Sequence, residues 1–149
     1  MDYKTGEKEI QQIISTKPGN ILQNVVDFLY ENFEHYSWIG IYIVQGNDLI
    51  LGPWKGEHAT EHTKIPIGRG ICGSAAKTGK TEVIADVNTD NRYLSCFVST
   101  KSEIVVPIKK QDIIVGEIDI DSDKVAAFTN EDKLFLEKVA NLLKDLIRG

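Results

Sequence analysis

Two cysteines and three acids are the residues of this 149-residue sequence whose types and spacing could do chemistry. Cys72 stands between small residues in Gly70-Ile71-Cys72-Gly73, and Cys96 follows 24 positions later in the polar stretch from Asp86 to Thr100. A cysteine on its own is most often a small buried apolar residue. Flanking glycines at Cys72 and a polar loop around Cys96 are instead the settings in which a thiol is reached and used. The N-terminal segment Met1 to Lys8 has no apolar leader, and no run is long enough to cross a bilayer. A cytoplasmic protein is therefore expected, in which thiols rest reduced and a structural disulfide is the weaker reading.

Glu103, Asp119 and Asp121 form the second group. Asp119 and Asp121 are two apart in a run that alternates with Ile118 and Ile120, so in a strand both acids face one side and both isoleucines the other. With Glu103 on a neighbouring strand, three acids converge. Crowded carboxyls raise one another's pKa, so one can stay protonated near neutral pH and donate while another holds a cation. His58 and His62 invite a zinc reading, but no cysteine or histidine pairing has the spacing of a zinc site, and no metal is expected.

The elements that must position these groups are legible from periodicity. Apolar residues at helical spacing predict helices from about Glu9 to Ile14 and from Asn20 to Phe33, broken at Pro18-Gly19, with Asn20 as the second cap. Trp38 to Val44 and Leu49 to Leu51 read as a hairpin across Gly46-Asn47, ended by Gly52 and Pro53. The loop from Glu57 leads through a short strand into a helix from Ile71 to Thr78, closed by Gly79. Cys72 then lies in a first turn, where backbone amides favour a thiolate and could also receive a ligand's carboxylate. A short strand from Glu82 to Ala85 precedes the Cys96 excursion. Ser102 to Lys109 and Ile113 to Ile120 form a second hairpin. A last helix begins at Thr129 or Asn130 and turns Leu134, Phe135, Val139, Leu142, Leu143 and Leu146 towards a sheet. The plan is α+β in one domain, residues 1–149, with a central antiparallel sheet. Terminal helices pack on one face; loops and a short helix cover a pocket on the other.

The segments Trp38-Ile39-Gly40-Ile41-Tyr42, Ile65 to Gly73 with its GICG, the second cysteine at Cys96, Ser102-Glu103-Ile104-Val105-Val106-Pro107 and Gly116 to Ser122 with its DIDS occur in an order that strongly resembles the free methionine-R-sulfoxide reductases, single-domain GAF proteins. The resemblance implies a GAF-like fold. It also implies an oxidoreductase acting on free L-methionine-(R)-S-oxide in oxidative stress, without a cofactor. Such chemistry needs a thiolate to attack sulfur, a proton donor for the oxygen, and a second thiol to turn the resulting sulfenic acid into a disulfide. The resemblance implies Cys96 as nucleophile, Cys72 as its resolving partner, thioredoxin as reductant and a homodimer. Glu103 and Asp121 are expected at the sulfoxide, Asp119 at the amine, and Trp38 and Tyr42 as walls around the methyl and methylene groups. The family usually carries a third cysteine about ten residues before the GICG cysteine. His62 stands near that place here, which leaves Cys72–Cys96 as the intramolecular disulfide that can complete the cycle if the two sulfurs meet, and an external thiol to resolve Cys96 if they do not.

A net charge of -5 and a pI near 5.2 disfavour a nucleic-acid partner. The competing readings are a GAF sensor that binds a small molecule without turnover and a redox sensor using the same thiols. A sensor is usually joined to an output domain, and the sequence stops soon after its last helix, which favours the enzyme.

Overall fold

The computed structural model describes residues 1–16, 19–94 and 99–147. Its strands are β1 (Trp38–Gln45), β2 (Asp48–Gly56), β3 (Lys64–Pro66), β4 (Glu82–Ile84), β5 (Ser102–Lys110) and β6 (Ile113–Ser122). Its helices are α1 (Tyr3–Thr16), α2 (Ile21–Asn32), α3 (Gly70–Thr78) and α4 (Asn130–Leu143). The strands form one sheet in the order β3-β2-β1-β6-β5-β4, with every neighbouring pair antiparallel.

Strand alternation divides the sheet into two chemically distinct faces. Ile39, Ile41, Ile104, Val106, Ile118 and Ile120 share one core with Ile10 of α1, Val25 and Leu29 of α2, and Leu136 and Val139 of α4. Each such side chain stabilises the fold by about 1.5–3 kcal/mol on burial. The opposite face carries Trp38, Tyr42 and Val105 under Ile71, Cys72 and Ala75 of α3. The chain is thus the expected α+β arrangement, with its helical layer on the face away from the acids.

Four local expectations are corrected. α1 begins at Tyr3, well before Glu9, because Asp2 caps it through the Thr5 N–H at 2.8 Å. Asn20 flanks α2 but makes no side-chain cap; its backbone carbonyl accepts the Asn24 N–H at 3.0 Å. Gly52 and Pro53 do not end β2. They form a bulge against Ile41, between the Gly40–Trp54 and Tyr42–Leu51 pairs, and β3 pairs only with Asp48 to Ile50. Proline is tolerated there because its missing N–H faces no partner strand. Leu134 is exposed, whereas Leu136 is fully buried, so the core-facing stripe of α4 is rotated from the one expected.

α4 is anchored by a capping box between Thr129 and Asp132. The Asp132 carboxylate also accepts hydrogen bonds from Tyr3 at 2.9 Å, Tyr36 at 2.7 Å and His35 at 2.8 Å. One carboxylate therefore ties α1, the turn before β1 and α4 together behind the sheet.

Candidate active site

β6 is the spine of the site. On its face towards α3, Asp121 lies opposite Trp38 on one side and Glu103 on the other. Asp119 lies opposite Gly40 and Val105, and Glu117 opposite Tyr42 and Pro107. Gly40 is required by a close approach: a Cβ there would sit 2.4 Å from the Trp38 ring, so the indole lies across the glycine on the pocket face. Trp54 stacks on Trp38 at 6.3 Å and 15°. The Tyr42 hydroxyl donates to the His62 carbonyl at 2.7 Å, fixing the 57–63 loop to the strand below it.

α3 covers the acids. Its first turn carries Cys72, whose Sγ is 4.0 Å from Glu103 Oε2. Gly70 opens the helix at φ +70°, where a Cβ would come within 2.8 Å of the Leu94 side chain. The segment leading towards Cys96 therefore crosses the start of the Cys72 helix. Arg92 holds that segment by ion pairs to Asp90 at 2.7 Å and Glu82 at 3.0 Å. Cys96 itself lies outside the described residues.

The electrostatics follow from burial without countercharge. Glu103, Glu117, Asp119 and Asp121 are each at most 5 % exposed, and none of the ion pairs among the described residues reaches them. Burial, then the charges of Asp119 and Asp121, push the Glu103 carboxyl well above its ordinary value. Burial raises Asp121 well above its value too, with Asp119 adding to the rise. Asp119 is also raised by burial, but Glu103 and the Cys72 thiol hydrogen-bond to its charged form and pull it back. The cluster is thus a set of carboxyls that burial raises together, with hydrogen bonds from Glu103 opposing the rise at both Asp119 and Asp121 and the Cys72 thiol opposing it at Asp119.

Cys72 departs from expectation. Burial, followed by the charges of Asp119, Glu117, Glu103 and Asp121, pushes its thiol well up. The helix terminus would favour a thiolate, but desolvation and four nearby acids outweigh it. Cys72 is a protonated thiol at rest.

A small cavity of about 20 Å³ remains between Tyr42, His62, Cys72, Leu94, Glu103 and Asp119. Beside it a second recess, about 60 Å³, is lined by Trp38, His58, Thr100 and Asp121. All the expected pocket residues within the described chain therefore border one continuous acidic patch. Cys72, Glu103 and Asp119 also offer ligand atoms within 4.8 Å of one another, a donor set that could hold a metal ion. His58 and His62 belong to no such group among the described residues. Glu117 is the site residue that sequence reasoning missed. It stands two positions before Asp119 in the same alternating run, and that spacing was the available signal.

The GAF domain model matches residues 18–144. The free methionine-R-sulfoxide reductase of Escherichia coli is 34% identical over 126 residues, covering 85% of this chain and 75% of its own. The free methionine-R-sulfoxide reductase of Neisseria meningitidis, solved in complex with its substrate, superposes with a TM-score of 0.89 at 33% identity, over 96% of this chain and 86% of that one. A type II free methionine-R-sulfoxide reductase from Thermoplasma acidophilum gives 0.82 at 37% identity, over 92% and 93%. With its sheet order, its acid-lined face and these relatives, the chain belongs to the GAF domain family and, within it, to the free methionine-R-sulfoxide reductases.

Proposed function

We propose that this protein reduces free L-methionine-(R)-S-oxide to L-methionine through Cys96 and Cys72, with thioredoxin restoring the thiols. The observation that carries the reading is the buried acid cluster under Cys72: Glu103, Asp119 and Asp121 share one face of the sheet, and none of the ion pairs among the described residues reaches them. A substrate ammonium supplies the missing positive charge at Asp119, and Glu103 and Asp121 supply protons to the sulfoxide oxygen. Trp38 and Tyr42 offer apolar surface for the methylene and methyl groups. The first-turn amides of α3 are our candidates for the substrate carboxylate.

In this reading the Cys96 thiolate attacks the sulfoxide sulfur. Two electrons pass to that sulfur, its oxygen is protonated by Glu103 or Asp121, and methionine leaves as Cys96 becomes a sulfenic acid. The Cys72 thiol then attacks the Cys96 sulfur, the S–O bond breaks, water leaves and a Cys72–Cys96 disulfide forms. Two observations support this division. Burial and the neighbouring acids push the Cys72 thiol up, which suits a resolving thiol better than an attacking one. Leu94, two residues before Cys96, lines the cavity with Cys72. Thioredoxin then reduces the disulfide, and we take the working unit to be a homodimer.

The test is coupled NADPH consumption with thioredoxin and its reductase, using the free R epimer, the free S epimer and a peptide-bound sulfoxide. Turnover of the free R epimer alone is expected. Binding of that epimer without NADPH consumption would return the protein to the sensor reading.

A further inference from the structure

The acids under α3 have no positive charge beside them, and the space they border is the size of one small occupant. Cys72 Sγ, a Glu103 oxygen and an Asp119 oxygen all lie within 4.8 Å of one another, with Cys72 Sγ 4.0 Å from Glu103 Oε2. The same three residues line the cavity of about 20 Å³. That volume holds a single water-sized particle and excludes a whole amino acid in this conformation. Asp119 is only 4 % exposed, yet its Oδ1 has no hydrogen-bond partner among the described residues, and neither has Oδ1 of Asp121 on the same face. A water fills the volume but brings no charge to acids that no ion pair among the described residues reaches. A small cation does both.

We propose that Cys72, Glu103 and Asp119 form a site for a single thiophilic divalent cation of the zinc class, which occupies the closed pocket when no substrate is bound. The donor types select the ion. Magnesium and calcium take oxygen ligands, whereas zinc takes sulfur and oxygen together. The spacing agrees with that choice. Zinc bonds of about 2.3 Å to sulfur and about 2.0–2.2 Å to oxygen put two tetrahedral ligands about 3.6 Å apart. The 4.0 Å gap between Cys72 and Glu103 closes to that value by a small side-chain movement. Three protein ligands leave a fourth position for water, and binding releases the Cys72 proton to solvent. Because the ligands come from α3, β5 and β6, no short motif in the sequence announces the site. The cation is an occupant and takes part in no redox step. It covers the acids and masks the thiol that the proposed function needs, so it holds the enzyme off until it is removed; this consequence rests on that proposed function.

The test uses the full chain, reduced and stripped with a chelator, and Co²⁺ as the probe, because a thiolate ligand adds a sulfur-to-cobalt charge-transfer band that oxygen ligands do not. One Co²⁺ per chain with that band is expected, displaced by Zn²⁺ and unaffected by excess Mg²⁺ or Ca²⁺. Cys72→Ser is expected to lose the band. Glu103→Gln and Asp119→Asn are each expected to weaken binding by at least the roughly tenfold that loss of even an outer partner costs. Cys96→Ser leaves Cys72 as the only cysteine and is expected to keep both band and affinity, which assigns Cys72 even if Cys72→Ser does not fold. Absence of the band in the wild-type chain, its retention in Cys72→Ser, its loss in Cys96→Ser or displacement by Mg²⁺ would each overturn the proposal. None of these arms uses a sulfoxide. For the consequence, methionine formed in a single turnover without a reductant is measured with and without one equivalent of Zn²⁺. An unchanged rate in the zinc-loaded chain would overturn the blocking role, and no methionine even without zinc would count against the substrate assignment alone.

Discussion

At the scale of single residues, the proposed function rests on a crowd of buried acids. Glu103, Asp119 and Asp121 are crowded onto one face, and burial raises all three, with hydrogen bonds from Glu103 and the Cys72 thiol opposing the rise at Asp119. In the proposed function, Asp119→Asn removes the carboxylate assigned to the substrate ammonium but leaves the assigned proton donors in place. Its expected effect is a rise in KM of about 10- to 100-fold with a smaller change in kcat, the scale of one charge-assisted hydrogen bond of about 1.5–3 kcal/mol. Steady-state kinetics on the free R epimer read this directly, and a fall in kcat at unchanged KM would move Asp119 to the proton-transfer step. The sharing of one face by Asp119 and Asp121 was readable from their alternation with Ile118 and Ile120. The Cys72 thiol was not. A helix start can be placed by periodicity, whereas burial under four acids depends on how α3 seats on β5 and β6, which is a tertiary fact.

Among the elements, the rigidity of the site comes from behind the sheet. Asp132 gathers Tyr3, His35, Tyr36 and the Thr129 cap. Burial alone would raise its pKa, but the hydrogen bonds from His35, the Thr129 backbone, Tyr36 and Tyr3 lower it to about 2. A carboxyl depressed in the folded state contributes stability that is complete above its unfolded value, near 4, and is lost as pH falls through about 2. The contribution is on the order of 2 kcal/mol. Asp132→Asn is expected to lower stability by about 2–3 kcal/mol at pH 7 and to flatten the loss of stability between pH 5 and pH 2, as measured by denaturant unfolding across that range. An unchanged acid limb would show that other carboxyls carry it. Elements with strong local signals were legible in sequence: the hairpin at Gly46-Asn47, the helix ended by Gly79 and the cap at Thr129. The start of α1 and the second half of β2 were not. Gly6 looks like a helix breaker until Phe33 and Phe135 are seen within 3.1 and 3.2 Å of where its Cβ would be. Gly52-Pro53 looks like a strand end until the short β3 is seen to leave that edge unpaired.

Over the whole molecule, the sheet separates two tasks. One face buries isoleucine and valine against three helices and holds the fold; the other concentrates acids, a thiol and aromatic rings under a single short helix. That division was legible because alternation in β6 wrote both faces into one stretch, Ile118 to Asp121. Glu117 belongs to the same stretch, inside the strand expected from Ile113 to Ile120, and its burial became visible only once α3 was seen to cover that face. The proposed function requires that this face couple reduction of one sulfoxide to oxidation of one pair of thiols. The direct measurement mixes reduced protein with excess free methionine-R-sulfoxide and no reductant, then counts methionine, free thiols and disulfide-linked peptides. One methionine per chain, the loss of both thiols and a Cys72–Cys96 link are predicted. Methionine formed with Cys72 still free, or no methionine at all, would contradict this coupling.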